Sequence, residues 1–221
     1  MSDPAGTIFP IGGIPPRIHT MEALLALFIG IGLSAACGFR VFVPLFALSL
    51  AAQTGHLELA DSFQWAATPM ASMALGVATF FEIGGYYIPW VDNMLDAVAT
   101  PAAVVAGTFI TASVLPELPP FLKWSIATIA GGGTAGVIQG TSVMIRAASA
   151  ATTGGLGNPA VSTVETGGSI LLSVLAVLLP LVTLGLVAFL LVWAGKKIHR
   201  RFKQRKIPPP ADGGNFRDTR T

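Results

Sequence analysis

Long apolar stretches separated by short polar segments dominate the chain from residue 22 to residue 193. A helix of about 20 apolar residues crosses the 30 Å hydrocarbon core of a bilayer. On this criterion residues 69–89, 101–115 and 124–145 each predict one membrane-spanning helix. The stretch 101–115 is predicted to begin at Pro101, because proline is favoured at the first position of a helix.

The first apolar stretch, residues 22–52, is too long for a single straight span. It contains several glycines, Pro44 and, near its middle, the charged residue Arg40. We therefore predict a broken helix with the break at residues 37–40. If the stretch is a complete hairpin instead, the N-terminus lies on the other side of the membrane, and the sequence leaves both arrangements open.

The last apolar block is also longer than one span. A helix opened by Asn158 and continued through the block would be roughly 55 Å long at 1.5 Å per residue. The glycine pair at residues 167–168 and Pro180 are the candidate interruptions, and we predict the last full span at residues 169–193. Residues 147–168 are predicted to enter the membrane rather than form a soluble loop. The pattern thus predicts an all-α, polytopic membrane helix bundle of about five spans with broken or re-entrant segments.

Small residues recur at every fourth position in two of the stretches, Gly30, Ser34 and Gly38 in the first and Gly132, Gly136 and Gly140 in the fourth. The glycines of the fourth stretch predict a close helix-packing face, within the bundle or between protomers. The sequence Glu-Ile-Gly-Gly at residues 82–85 also resembles Glu-Thr-Gly-Gly at residues 165–168. With five spans the first and fourth run in opposite directions, which is typical of a weak inverted repeat.

Composition agrees with this membrane interpretation. Of the 221 residues, 52% are hydrophobic and only 11% are charged, and the mean hydropathy is +0.70. A soluble domain of this size cannot bury so much apolar surface, which excludes a cytosolic globular enzyme. We divide the chain into an N-terminal arm (1–20), a transmembrane helical domain (21–197) and a tail (198–221) that is basic and then disordered.

Positive charge is concentrated after the last apolar stretch. Seven of the 13 Lys and Arg residues lie in the run KKIHRRFKQRK, residues 196–206. Cytoplasmic flanks of membrane helices carry such an excess, so the run predicts a cytoplasmic C-terminus and, with five spans, an external N-terminus. The same charges attract anionic membrane lipids as partners. We expect no nucleic-acid partner.

Ionisable side chains within the apolar stretches are the best candidates for a functional site, because each is costly in the membrane. Four qualify: Arg40, Glu82, Arg146 and Glu165. They predict either a polar cavity in which the arginines hold an anion, or two buried salt bridges that only lock the bundle. A guanidinium group matches carboxylate and phosphate groups, which favours an anionic ligand.

A glycine-rich segment precedes Asn158 and Pro159, in the sequence TTGGLGNP at residues 152–159. It leads into a helix start, whose free N–H groups attract anions, so Asn158 joins the candidate ligand-binding residues. The segment lacks the Gly-Lys-Ser/Thr ending of a phosphate-binding loop. A flexible connection between two helices is the alternative interpretation.

Asp92 and Asp96 lie four residues apart in WVDNMLD, and a helix places them on one face. Two carboxylates are too few to bind a divalent cation, so we expect a solvated interfacial face. We expect no metal, no cofactor and no catalytic residues. An intramembrane enzyme that acts on lipids is a minor alternative, for which these two aspartates are the only support.

Four separated motifs resemble a bacterial membrane protein family, the domain of unknown function DUF4126. They are LSAACGFRVFVPL (33–45), EIGGYYIPWVDN (82–93), ATPAAVVAGT (99–108) and ATTGGLGNP (151–159). The resemblance covers residues 21–197. It implies a compact multi-pass protein of the bacterial cytoplasmic (inner) membrane and supplies no catalytic residues.

The leading functional hypothesis is a small transporter or channel-like protein that binds a small or lipid-borne anion near the membrane midplane. Arg40 is the expected principal ligand with Glu82 as its partner, and Arg146 with Glu165 forms the second half of the site. The alternative is a structural or accessory subunit of a larger membrane complex, which the glycine face would join. A homo-oligomer is compatible with both hypotheses.

Overall fold

The computed structural model describes residues 20–205, without the side chains of residues 20, 89, 90, 93 and 197–205. This part of the chain forms helices and no strands, which confirms the all-α prediction. The predicted N-terminal arm up to residue 19 and the predicted disordered segment 208–221 lie outside it. The helices are α1 (Thr20–Cys37), α2 (Phe42–Gln53), α3 (Pro69–Gly85), α4 (Pro89–Val114), α5 (Pro120–Ile126), α6 (Gly133–Thr153), α7 (Asn158–Leu178) and α8 (Pro180–Arg205).

Helix α1 occupies the centre of the bundle and packs against α2, α4, α6, α7 and α8. Small side chains allow these close approaches. A Cβ atom at Gly32 would lie 2.8 Å from both Ala176 of α7 and Thr183 of α8. On another side of α1, the Ser34 hydroxyl donates to the Gly107 carbonyl of α4 at 2.8 Å.

The first apolar stretch is broken between α1 and α2, as predicted, and the two short helices form a helical hairpin. The side of the membrane on which the N-terminus lies stays a prediction. The connecting residues 38–41 form a tight turn in which Arg40 N donates to Ala36 O at 3.1 Å. Helix α2 then runs back towards the end of the bundle where α1 begins. Beyond it, Ala60 N donates to Ser113 O at 2.8 Å, beside the region where Gly30 approaches Thr111. Arg40 therefore lies at the tip of a helical hairpin.

Two predicted helix starts are wrong. Helix α4 begins at Pro89 rather than Pro101, which lies inside the helix. Proline is tolerated in membrane helices because neighbouring helices and local adjustments satisfy the freed backbone groups. The fourth stretch begins at Pro120 instead of residue 124 and remains helical to Thr153, through the π-helical segment Ala127–Gly132.

The predicted last span at residues 169–193 is also wrong. Helix α7 continues through the glycine pair at 167–168, and the chain breaks at Leu179, whose φ of −137° and ψ of 65° are not helical. The next residue is Pro180, which has no N–H group and disfavours a helical residue before it. Residues 147–168 are the end of α6, a short loop and the first half of α7.

Within residues 20–205, two segments, Met94–Val114 and Asn158–Leu178, are long and apolar enough to cross a membrane. The 3₁₀ helix Asp61–Ala67 precedes α3, and the chain bends by 65° between the two. If they form one broken span, the number of candidate spans rises to three. Helices α1, α2 and the first part of α8 are shorter apolar helices. A membrane helix bundle with broken segments is thus confirmed, and the total of about five spans stays a prediction.

Two of the three glycines predicted for helix packing lie against α4. A Cβ atom at Gly136 would lie 3.1 Å from Val104, and one at Gly132 would contact Thr108 and Val104. A Cβ atom added at Gly140 would have no neighbouring atom within 4 Å. The glycine face therefore packs mainly inside this chain, where the small residues let α4 and α6 approach closely.

Candidate functional site

Five ionisable residues meet inside one end of the bundle: Arg40, Asp92, Asp96, Arg146 and Glu165, here called the ionic network. Glu165 lies about two turns from the start of α7, and Arg146 about two turns from the end of α6. In both helices these residues lie within about one turn of the helix midpoint, on the side towards the α6–α7 loop, and the predicted midplane position stays a prediction. Helix α8, which runs parallel to α1, ends at the same side.

Arg146 is the centre of the ionic network. Its Nη1 donates to Asp92 Oδ1 at 2.5 Å, and its Nε donates to Glu165 Oε2 at 3.1 Å. Its Nη2 donates to Ser162 Oγ at 3.0 Å and also to Glu165. Asp96 Oδ1 lies 3.7 Å from Nε. One buried guanidinium group thus joins α6 to α4 and α7.

Glu165 connects the two arginines. Besides Arg146, its Oε2 faces Arg40 Nη1 at 3.6 Å, and the Ser142 hydroxyl donates to its Oε1. Arg40 and Arg146, which were predicted to belong to separate halves of the site, therefore share one carboxylate. The hairpin tip and α6 are both bound to the same carboxylate of α7.

Arg40 is only 1% exposed, and its other donor groups are also engaged. Nε donates to Thr166 Oγ1 at 3.1 Å and Nη2 to the Ser162 carbonyl at 3.1 Å. Nη1 donates to the Phe39 carbonyl at 3.4 Å. The polar face of α7 thus holds the guanidinium group in place at the hairpin tip.

Tyr86, which the sequence analysis did not single out, supports both arginines. The guanidinium carbons of Arg40 and Arg146 lie over its ring, 3.7 Å and 4.5 Å from the ring centroid. Cation–π attraction of this kind strengthens when the groups are shielded from water. The sequence could have pointed to Tyr86 through its position four residues after Glu82. A helix continued by one residue beyond α3 places both side chains on one face.

Glu82 has a different role from the predicted ion pair with Arg40. Its Oε1 accepts from Val41 N at 2.7 Å and its Oε2 from Phe42 N at 3.0 Å. These are free N–H groups at the start of α2, where a negative charge also interacts favourably with the helix dipole. Glu82 is therefore the N-terminal cap of α2, supplied by α3.

We expect Glu82→Ala to destabilise the start of α2, since two buried N–H groups lose their acceptors at a cost of about 1–3 kcal/mol. Hydrogen exchange followed by mass spectrometry should show faster exchange in residues 41–53, with α7 unaffected. Glu82→Gln, which keeps one acceptor oxygen, should show a smaller change. Unchanged exchange at residues 41–53 in Glu82→Ala would contradict the capping role.

The expected solvated face formed by Asp92 and Asp96 is wrong for Asp92, which is buried. Its Oδ1 accepts from Arg146, and its Oδ2 accepts from Asn158 Nδ2 at 3.2 Å. The reason is the true start of α4, which places both aspartates inside the helix. Asn158 thus orients Asp92. The anion-binding role expected for Asn158 stays a prediction.

Asp96 is the most exposed member of the ionic network, with 25% of its side chain accessible. Its Oδ1 atom is buried and accepts no hydrogen bond, and it has only the long ion pair with Arg146. This carboxylate is therefore held least firmly. It connects the interior of the network with the outer surface of α4.

Negative charge exceeds positive charge in this region. With Glu82 included, four carboxylates lie near two guanidinium groups, whose nitrogen atoms all donate to protein oxygens. An added anion would therefore have to share nitrogen atoms that already donate to protein oxygens. Within residues 20–205 no three His, Cys, Asp or Glu side chains are grouped so as to hold a metal ion.

Buried hydroxyl groups continue from the ionic network along α7. Ser162, Thr166, Ser169 and Ser173 recur at helical spacing on the face that meets α1, and Ser169 donates to Ala36 O at 3.0 Å. Ser34 and Thr111, whose hydroxyls lie 3.0 Å apart, extend the polar groups between α1 and α4. The interior of this apolar bundle is thus lined with polar atoms well beyond Glu165.

Comparison with known proteins gives one family. The model of the family described as "Domain of unknown function (DUF4126)" matches residues 27–200, which contain the whole ionic network. A search of curated proteins found no match, and neither did a search of solved structures.

Proposed function

This chain belongs to the DUF4126 family, and we propose that it is a small membrane transport protein that takes up and releases protons at Asp96. The observation that carries the proposal is the state of this carboxylate, partly exposed, loosely paired and continuous with a buried network that has excess negative charge. Intramembrane ionisable residues commonly mark proton and substrate pathways. The role is transport rather than catalysis.

The arrangement of charges favours a proton or another cation over the anion that the arginines suggested from sequence. Arg40 and Arg146 already donate to carboxylates, hydroxyls and carbonyls of the protein. An anion would have to displace Glu165 or Asp92 and then face the remaining carboxylates. A proton at Asp96 instead reduces the excess negative charge and costs only the long ion pair with Arg146, with the arginine hydrogen bonds kept.

The buried hydroxyls of α7 give the proton a polar route away from the network. Ser169 and Ser173 follow Glu165 at intervals of about one turn, within a helix long enough to cross the membrane. Hydroxyl groups both donate and accept hydrogen bonds, so they can pass a proton on when water enters between them. The route begins at Asp96 and continues through Glu165.

Proton movement in sealed vesicles tests the proposal. Purified protein is reconstituted into liposomes that contain a pH-sensitive dye, and a potassium diffusion potential is applied. We expect the wild type to acidify the interior faster than protein-free vesicles, and Asp96→Asn to reduce the rate to that of protein-free vesicles. Asparagine keeps the size and polarity of the side chain but binds no proton.

Asp61→Asn is the matched control, because Asp61 is an exposed carboxylate in the 3₁₀ helix at the other end of the bundle. It should leave the rate unchanged. Equal rates for wild-type and protein-free vesicles, or full activity in Asp96→Asn, would overturn the proposal. Chloride uptake in place of proton uptake would favour the anion hypothesis.

The accessory subunit remains the second proposed function, and the observation that favours it is that every guanidinium nitrogen of Arg40 and Arg146 already donates to the protein. If the ionic network only braces the bundle, Asp96→Asn changes neither flux nor association with other subunits. For either function we propose the bacterial cytoplasmic membrane as the location, with the end that carries the basic segment in the cytoplasm and anionic lipids around it. Formation of a homo-oligomer is compatible with both.

A further inference from the structure

A wide apolar crevice lies between α3 and α4, which make few contacts with each other. Its volume is about 730 Å³, within the range of about 300–1,000 Å³ typical of small-molecule sites. Aromatic and aliphatic side chains form most of its wall, among them Phe42, Phe80, Phe81, Val91, Leu95 and Val98. The crevice therefore suits a bulky apolar group.

Glu82 carries the only charge among the described residues that line this crevice. Each of its carboxylate oxygens accepts one backbone N–H, from Val41 and Phe42. A carboxylate oxygen has two acceptor positions, so both oxygens can also interact with a group in the crevice. A negative charge thus lies at the wall of an otherwise apolar space.

We propose that this α3–α4 crevice binds an organic cation with a bulky apolar body, such as a phosphonium or quaternary ammonium ion, and that Glu82 is its counter-ion. This names the solute class for the proposed transport function and rests on it. The apolar body fits the hydrophobic wall, while the cation is attracted by Glu82. The rings of Phe42 and Phe81 offer further cation–π contacts.

Charge decides between an organic cation and the other possible occupants. A lipid acyl chain fits the apolar wall but places no compensating charge beside Glu82. An organic anion of the same size would be repelled by Glu82, the charged residue of the crevice wall. Among molecules of suitable size, the cation is the class that satisfies both the shape and the charge of this crevice.

Two ions of nearly the same size and opposite charge provide the test, tetraphenylphosphonium and tetraphenylborate. Binding of each ion to the full-length protein in lipid nanodiscs is measured by equilibrium dialysis, with empty nanodiscs subtracted. We expect the wild type to bind tetraphenylphosphonium and not tetraphenylborate. Glu82→Gln should weaken tetraphenylphosphonium binding at least about tenfold, which corresponds to about 1.4 kcal/mol.

Val98→Trp supplies a second variant that leaves Glu82 and the cap of α2 intact. Val98 is 62% exposed on α4, and a tryptophan there fills the crevice from its open side. We expect it to abolish binding. Val182→Trp on α8 is the matched control. Val182 is 57% exposed and lies outside the α3–α4 crevice, so this variant should bind tetraphenylphosphonium as the wild type does.

Three results would overturn the inference: no binding of tetraphenylphosphonium, equal binding of the two ions, or undiminished binding in Val98→Trp. Failure here is distinguishable from failure of the transport function. If tetraphenylphosphonium does not bind but Asp96-dependent proton flux is observed, only the solute class is wrong. If tetraphenylphosphonium binds in a Glu82-dependent way but the wild type moves no protons, the crevice is a binding site and the transport proposal fails.

Discussion

Arg146→Met is expected to destabilise the bundle by about 3–5 kcal/mol, the range for breaking a buried ion pair by removal of one partner. Methionine replaces the length of the side chain but none of its charge. Asp92 and Glu165 then remain buried with most of their donors lost. For a chain of this length, a loss of this size corresponds to a melting temperature lower by roughly 10 °C.

The single cysteine provides the measurement. Cys37 is fully buried at the end of α1, so a thiol-reactive fluorophore labels it only when the bundle opens. Heating the purified protein with such a reagent gives a melting curve without any added label site. The wild type and the variant differ at one position far from this thiol in the sequence.

Lys123→Met is the matched control for Arg146→Met. Lys123 is also a buried cation, but its partner Glu117, at 3.6 Å, is 68% exposed and stays solvated when the lysine is lost. We therefore expect a much smaller change in melting temperature. Similar melting curves for Arg146→Met and the wild type would show that the ionic network does not hold the bundle together.

Gly131→Ala is expected to have the second largest effect, a destabilisation of about 2–3 kcal/mol from overpacking. Gly131 lies in the π-helical segment, where a Cβ atom would be 2.8 Å from Thr111 Cβ and would also press on the Gly107 carbonyl oxygen of α4. The atoms in contact are a backbone carbonyl oxygen and the side chain of Thr111, whose Cβ cannot turn away from its own backbone. The helices must move apart to admit one methyl group.

Gly140→Ala is the control for this packing effect, because no atom lies within 4 Å of a Cβ atom at Gly140. Alanine is the better helix former by about 1 kcal/mol, so this variant should melt at the same temperature as the wild type or slightly higher. The Cys37 labelling assay compares both variants directly. Equal melting of Gly131→Ala and Gly140→Ala would contradict the close contact between α4 and the π-helical segment.

Several features of the candidate site follow from sequence alone, because the membrane makes them costly. Arg40, Arg146 and Glu165 were identified as charges within apolar stretches, and all three are buried in the ionic network. The break before α2 was predicted from the length of the stretch and the position of Arg40. Both predictions use only the thickness of the bilayer and the free-energy cost of a charged side chain within it.

Other features depend on pairs that are distant in the sequence. Asp92 was assigned to a solvated face because α4 was expected to begin at Pro101, and only its contact with Arg146 identifies it as part of the site. Glu82 was expected to pair with a cation, but it binds backbone N–H groups some 40 residues earlier in the chain. Neither partner follows from the spacing of residues along one helix.

The sequence by itself determined that this chain is a bundle of apolar helices with a few intramembrane charges, because composition and periodicity report how much surface must avoid water. The tertiary structure decided which charges meet. It placed four carboxylates near two arginines and so changed the expected ligand from an anion to a proton or an organic cation. Hydropathy is summed along the chain, whereas electrostatic balance depends on distances in space, which only the packing of α3, α4, α6 and α7 around the hairpin tip sets.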